Sequence, residues 1–564
     1  MIALNGVAAS SGAALGQFFL LTTEIPLSSP SPSTLSIDEE KAALTSAIDF
    51  VGKDLSERAE RSHGELQEIL LAVGEIATDP ALLEEAFNFI DQGHTASYAI
   101  NQATDIFKEL LLASGGYLAE RVSDVANICD RLLCRLGGVE YPEIPHFTVP
   151  TVLIARDLSP ADTTDLQSDK VLAIVTEGGG PTSHTAIIAR SRGIAAVVAC
   201  PGIVDYAKSH YGEMIGVDAT TGEVVFSPPL ELQSRLIAKI EKIRRRRESQ
   251  VVRTSTGYQT LDGRIIPIYA NIGRQEDVKV ALEAGADGVG LLRTELLYLD
   301  RKDPPTLEEQ TQIYTDLFAP FGTKKVVIRT LDAGADKPMA FINFDDEPNP
   351  ALGVRGYRTI VDHEDLLRIQ LKAIAAAARR TEADVWVMAP MITLPEEAQR
   401  FVDMAKSYGI KTAGVMIEVP AAIFHADEIT KICDFVSIGT NDLGQYLHAA
   451  DRESAPLAGF NDPWQPALLR AVHLVAQAGL RNNCPVGVCG EAASDATLGS
   501  ILLGLGVTSL SCNVSTLRDV AAGVTALNFT DIQLAAVDVL AAPTAKETRN
   551  SARNRLVSLE ELGL

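Results

Sequence analysis

The chain has 564 residues, 46% of them hydrophobic and 22% charged, with 49 Lys and Arg against 74 Asp and Glu, a formal net charge of −25. That length exceeds one ordinary hydrophobic core and calls for two or three domains. So acidic a chain makes a poor nucleic-acid binder, because such binding is carried by contacts to phosphate, and its seven scattered cysteines suit a reducing compartment better than a disulfide framework.

The N-terminus, MIALNGVAASSGAALGQFFLL, is small and apolar, yet it lacks the basic segment of a secretion signal, the first lysine being Lys41. No later run is long and apolar enough to span a bilayer. The expectation is a cytoplasmic protein with no membrane insertion. The first 36 or so residues are strand-rich and close in a Ser/Pro loop, PLSSPSPSTLS. From Ile37 to about Leu136 the spacing of apolar residues turns to three and four, with acidic first turns such as Asp38-Glu39-Glu40. DPALLEEAFNFI and QATDIFKELLLA are amphipathic segments of a small helical bundle. From Pro142 strands return: TVLIARDL and KVLAIVTE, then the helical HTAIIARSRG and the strand AAVVAC. The helical block is therefore an insertion in an α/β domain. A polar helix from Leu230 to Gln250 follows, and its basic run Arg244-Arg245-Arg246-Arg247 is best read as a solvated helix end. Beyond Val251, eight β-branched runs alternate with helical stretches: IIPIYANIG, DGVGLLRTE, KVVIRTLD, DVWVMAPMI, TAGVMIEVP, DFVSIGTND, PVGVCGE and VTSLSCNV. That count predicts a (β/α)8 barrel.

Barrel sites form at the C-terminal ends of the strands. Here those ends carry Arg293, Arg329, Glu418, Asn441-Asp442 and Cys489-Gly490-Glu491. One arginine there is more often a structural ion pair. Several converging at one face fit an anion site, because the guanidinium fork matches phosphate and carboxylate. Glu418 and Asp442 read as magnesium ligands rather than as counterions, since magnesium takes one or two carboxylates and leaves its other positions to substrate and water. Cys489 is either inert packing or a proton donor; spacing alone leaves both open. In the first domain, Glu177-Gly178-Gly179-Gly180-Pro181-Thr182-Ser183-His184 joins a strand to a glycine loop, Thr/Ser caps and a helix. A helix start of this kind stabilises an anion, so His184 is a candidate phosphoryl carrier. No P-loop signature is present, so the phosphate need not come from ATP.

GGPTSHTAIIAR resembles the phosphohistidine motif of the phosphoenolpyruvate-utilising family formed by enzyme I of the bacterial phosphotransferase system, pyruvate phosphate dikinase and phosphoenolpyruvate synthase. GVGLLRTELLYLDR, RTLDAGADKP, NPALGVRGYR, MIEVPAA, IGTNDLGQY and VCGEAASD resemble its phosphoenolpyruvate-binding domain. The dikinase and the synthase carry a large ATP-binding domain ahead of the histidine domain. Only about 180 residues precede His184 here, so the layout is similar to the enzyme I branch.

The resemblance implies an α/β multidomain fold: a swivelling phosphohistidine domain (1–36 and 142–228), an inserted helical subdomain that binds the carrier protein HPr (37–141), a linker helix (229–250) and a phosphoenolpyruvate-binding and dimerisation TIM barrel (251–564). It implies that His184 forms the tele-phosphohistidine intermediate. Arg293, Arg329, Arg355 and Arg452 would hold the substrate, with Asn441 and Asp442 touching it. Glu418 and Asp442 would bind Mg2+, and Cys489 would protonate the enolate to release pyruvate. The expected partners are phosphoenolpyruvate, pyruvate, HPr and a second copy of the chain. Two departures stand out: Asp451-Arg452-Glu453-Ser454 where the family has Asp-Arg-Gly-Asn, and Gln465-Pro466 where it has His-Pro. Two other readings stay open, an enzyme that phosphorylates phosphate or water and a sensor without turnover.

Overall fold

The computed structural model describes the chain apart from residues 1, 11, 23–24, 27–29, 31, 62–64, 115–121, 164–165, 167–169, 181–183, 249–252, 255–256, 299–300, 302, 335–338, 340, 343–346, 348, 453–456 and 458. It falls into two compact units, 1–241 and 242–564, divided within the helix Leu230–Glu248.

The first unit is built on an eight-stranded sheet of β1 (Ile2–Asn5), β2 (Val7–Ser10), β3 (Ala13–Leu21), β4 (Thr151–Ala155), β5 (Val171–Thr176), β6 (Ala195–Val198), β7 (Met214–Asp218) and β8 (Glu223–Phe226), in the order β1-β8-β7-β3-β4-β5-β6-β2. The strands β3 to β6 run parallel, and antiparallel strands flank them. TVLIA of β4 is buried throughout, as expected for a parallel strand covered on both faces. In the sheet, β3 and β4 are neighbours, with Phe18 opposite Val152. In the chain, the helices Ile37–Arg61, Glu65–Ala77, Pro80–Asp91, Ala96–Ser114 and Val122–Leu136 lie between them. They enclose their own core, which includes Leu44, Leu55, Leu82, Ile90, Ile100 and Leu132. Asp79 caps Pro80–Asp91 by accepting the Ala81 N–H, with Pro80 in the first turn where no N–H is needed. A buried ion pair, Arg131 to Asp162 at 2.9 Å, ties this block to the α/β part.

The second unit opens with a small antiparallel sheet of β9 (Arg253–Thr254), β10 (Gly257–Gln259) and β11 (Ile265–Ile266). A closed parallel barrel follows: β12 (Ile268–Ile272), β13 (Gly288–Leu292), β14 (Lys325–Arg329), β15 (Asp384–Ala389), β16 (Thr412–Ile417), β17 (Val436–Ile438), β18 (Val486–Val488) and β19 (Ser509–Asn513). The pairing of Ile268 with Leu510 closes it. This is the eight-stranded TIM barrel that the alternation predicts. Its inside is packed by Leu291, Val327, Met388, Met416, Phe435 and Cys489. Residues of the opposite parity, such as Val326, Ile328, Val415 and Ile417, join the larger core under the helices. Because side chains alternate along a strand, that parity carries Arg329 and Glu418 inward, each two residues beyond an interior side chain, while Arg293, just past the end of β13, is exposed. After β19 come the helices Leu517–Thr525, Phe529–Ala541, Ala545–Arg555 and Val557–Glu561. Among the described residues no single helix is long and apolar enough to cross a membrane.

Candidate active site

The mouth of the barrel gathers charge that the core excludes. Arg329, at the end of β14, is 7% exposed. Its guanidinium donates to Glu295 Oε1 at 2.9 Å and pairs with Asp332 Oδ2 at 3.1 Å. Nη1 also lies 3.8 Å from Met416 Sδ inside the barrel. Burial works against this cation, but Glu295, Asp332, Glu418 and Asp442 outweigh it, and the pKa is raised above the ordinary arginine value. Arg355 is 1% exposed. It donates to Asp332 Oδ2 at 3.3 Å and Asp442 Oδ2 at 3.4 Å. The hydroxyl of Tyr446 lies 3.5 Å from its Nη1 and donates to the carbonyl of Ala351, which secures the loop that carries Arg355. Arg452, more exposed, reaches Asp442 Oδ1 at 3.3 Å. Arg293 is exposed, and its charge bears on the Cys489 thiol.

The acids divide into two roles. Glu295 and Asp332 are counterions to the arginines. Glu295 sits two residues after Arg293 and Asp332 three after Arg329, yet nothing in their spacing marks them as counterions. Asp442 is partly a counterion as well, since Arg355 and Arg452 both contact it. It belongs to the first turn of the helix Thr440–His448 rather than to a strand end, because β17 stops at Ile438. An acid suits that position, where backbone N–H groups point outward. Glu418 is different. It is 1% exposed and accepts the Met391 N–H at 2.7 Å. Burial, then the charges of Asp442 and Asp332, push its carboxyl up to about 8. A cation between Glu418 and Asp442 would relieve that penalty, so the donor set fits a magnesium ion. Among the described residues no group of three or more His, Cys, Asp or Glu forms a metal cluster, which is compatible with magnesium because it needs only one or two carboxylates. Gly439 leaves the space this requires: a Cβ there would lie 2.7 Å from Glu418 Oε2.

Cys489 is 2% exposed, with Sγ 3.7 Å from the Ile438 carbonyl. Burial raises the thiol to about 11, so it holds its proton at neutral pH. Asn441 accepts the Glu491 N–H at 2.9 Å and joins the β17 and β18 loops. Beneath the mouth, Gln370 accepts the Leu331 N–H and donates to Thr294 and Tyr314, and Thr294 donates to the Arg329 carbonyl. No motif in the chain announced Gln370, which comes from the middle of a barrel helix.

The structure thus brings Arg329, Arg355, Glu418, Asp442, Arg452 and Cys489 to one place. His184 belongs to the other unit. It opens the helix His184–Ser191, and its side chain lies outside the described part, as do Pro181, Thr182, Ser183 and the departure Glu453-Ser454. The turn before it is held by Gly178, which donates to the Arg156 carbonyl at 2.8 Å, and by Thr176, which donates to the Gly178 carbonyl. Gly179 has φ 78°, a left-handed conformation that favours glycine. Thr185 donates toward Asp157 Oδ1 and the Leu158 carbonyl, both at 3.3 Å.

The family described as PEP-utilising enzyme, PEP-binding domain, matches residues 246–529, its mobile domain matches 147–222 and its N-terminal part matches 5–121. A phosphoenolpyruvate-protein phosphotransferase of Streptomyces coelicolor is 42% identical over 98% of both chains. The chain belongs to the phosphoenolpyruvate-protein phosphotransferase family. Relatives of the same name from Haloferax volcanii and Geobacillus stearothermophilus are 35% and 34% identical, over 90% and 96% of both chains. The family match to the PEP-binding domain covers the whole barrel cluster, and the mobile-domain match covers the glycine turn and His184.

Proposed function

We propose that this chain transfers the phosphoryl group of phosphoenolpyruvate to Nε2 of its own His184, releases pyruvate, and passes the group to a histidine of HPr, as the first step of sugar uptake by a phosphotransferase system. The observation that carries this reading is the barrel mouth, where Arg329 and Arg355 share Asp332, Arg355 and Arg452 share Asp442, and Glu418 lies close enough to act on Arg329. In this reading the arginines bind the phosphate and carboxylate oxygens, and their fixed donors stabilise charge as it spreads in the transition state. Arg293, exposed at the same end, adds a phosphate contact from the solvent side. Asn441 and Asp442 orient the substrate.

Neutral His184 attacks phosphorus in line, an N–P bond forms and the P–O bond to the enol breaks. Cys489 then gives its proton to the methylene carbon of the enolate, which yields pyruvate. A thiol held near 11 is protonated at neutral pH and suits that task. Glu418 and Asp442 would hold magnesium, which when bound would draw charge from the substrate oxygens. The N–P bond of His184 later breaks as a new one forms on HPr. His184 and the barrel lie in different units, so the cycle requires the 1–36 and 142–228 domain to deliver His184 to the mouth and to HPr. We assign residues 37–141 to HPr docking, 229–250 to a linker and 251–564 to substrate binding and homodimerisation, in a cytoplasmic protein.

With labelled phosphoenolpyruvate, magnesium and HPr, the wild type is expected to take up label and pass it stoichiometrically to HPr. The His184→Ala variant is expected to take up none. Label retained by that variant at the wild-type level would overturn the assignment. Label that reaches water or inorganic phosphate but never HPr would overturn the acceptor.

A further inference from the structure

The segment that carries Arg452 is held by residues far from it in the chain. The helix Thr440–His448 ends at Ala449 in a left-handed conformation with φ 48°. The chain then turns so that the Arg452 N–H donates to Gln445 Oε1 at 3.0 Å. Asn461 Nδ2 donates to the Ala450 carbonyl at 3.1 Å, which clips the strand of backbone leading into Arg452. The next residue, Asp462, receives a two-pronged contact from Arg549: Nη1 to Oδ2 at 2.8 Å and Nη2 to Oδ1 at 2.7 Å. Asp462 also accepts the Trp464 N–H, while Gln465 Nε2 donates to the Gly459 carbonyl at 2.9 Å. Beside Arg549, the buried hydroxyl of Thr548 donates to the Trp464 carbonyl at 2.8 Å. Both residues come from the helix Ala545–Arg555, beyond the residues matched by the PEP-binding family.

We propose that Arg549 is a positioning residue for the anion pocket: through Asp462 and Asn461 it fixes the backbone of Ala450–Arg452 and so the placement of the Arg452 guanidinium against Asp442. The proposal rests on the reading that the mouth binds phosphoenolpyruvate. Asp462 is 19% exposed at its side chain. Without Arg549 it would keep backbone donors but lose its charge partner, and the clip at Ala450 would lose its rigid base. A bidentate fork is suited to this because it sets orientation as well as distance. Gln465, the departure from the family's His-Pro, is part of the same clasp, closing 459–465 on itself.

The test uses the full chain with Arg549→Met, and Asp462→Asn as a second variant should the first fail to fold. The expected result is a KM for phosphoenolpyruvate raised about three- to tenfold with kcat within about twofold, the pattern of a lost binding contact. Amide exchange at residues 450–452 is expected to quicken. The reversed pair, Arg549→Asp with Asp462→Arg, is expected to restore both. Unchanged KM and unchanged exchange in a folded variant would overturn the proposal, as would a fall in kcat with KM intact. If the wild type itself fails to react with phosphoenolpyruvate, the functional reading falls, and the exchange at 450–452 still decides the clasp.

Discussion

Arg329 and Lys325 stand at opposite ends of β14, both on the interior parity of the barrel, one at the mouth and one at the floor. Arg329 is met by Glu295 and Asp332, with Glu418 and Asp442 close enough to raise its pKa. Lys325 lies over the Trp386 ring at 3.3 Å and near Tyr269 at 5.4 Å, and burial pushes it down to about 8, partly offset by Asp384. Aromatic faces attract an ammonium, but they do not replace a carboxylate. The floor is closed by packing and tolerates a poorly compensated charge. The mouth sets Glu295, Asp332 and Asp442 against its arginines, which leaves their forks oriented. In a barrel the bottom serves stability and the top serves chemistry, and this strand shows the physical form of that division.

The largest expected effect breaks the mouth side of the comparison. Arg329→Lys keeps the charge and loses the fork, and phosphorylation of His184 is expected to fall about a hundredfold to a thousandfold, measured by single-turnover labelling. A change under threefold would mean that geometry at Arg329 is irrelevant. Next is Asp332→Asn, which removes the acid shared by Arg329 and Arg355. It is expected to cost about 3 kcal/mol of barrel stability, as when one partner of a buried pair is deleted, read from the denaturant midpoint of unfolding. The smallest effect tests the floor. Between about 8 and 10.5 the folded state gives up the Lys325 proton while the unfolded chain keeps it, so this group makes stability rise with pH across that window. Lys325→Met should flatten the rise and stabilise the protein below pH 8 by about 1–2 kcal/mol after solvent screening, with His184 labelling within twofold of wild type. A Tm profile identical to wild type would show that the rings compensate the ammonium fully.

Much of this was legible in the chain. Eight β-branched runs predicted the barrel, and the return of strands after Leu136 predicted the insertion that separates β3 from β4. Arg329, Glu418 and Cys489 stand out as candidates in the sequence because a buried strand that ends in a polar residue needs a reason for it, though spacing alone leaves Cys489 between packing and chemistry. Glu295, Asp332 and Gln370 escaped, because an acid near an arginine, or a glutamine inside a helix, carries no periodic signal. The alternation puts Asp442 at a strand end, but it lies in the next helix, since β17 stops at Ile438 and the helix starts at Thr440.

The sequence by itself determined the strand and helix alternation, the side-chain parity within the barrel, and the glycine turn that opens the His184 helix. All three follow from local spacing and local steric rules. Only the tertiary structure decided which acids neutralise which arginines, that Glu418 sits buried beside Asp442, whose charge and the burial together raise its carboxyl above the ordinary range, and that Arg549 reaches back to Asp462. Those depend on barrel closure and on the C-terminal helices. They bring together residues far apart in the chain, such as Arg329 and Asp442, and no local pattern encodes that proximity.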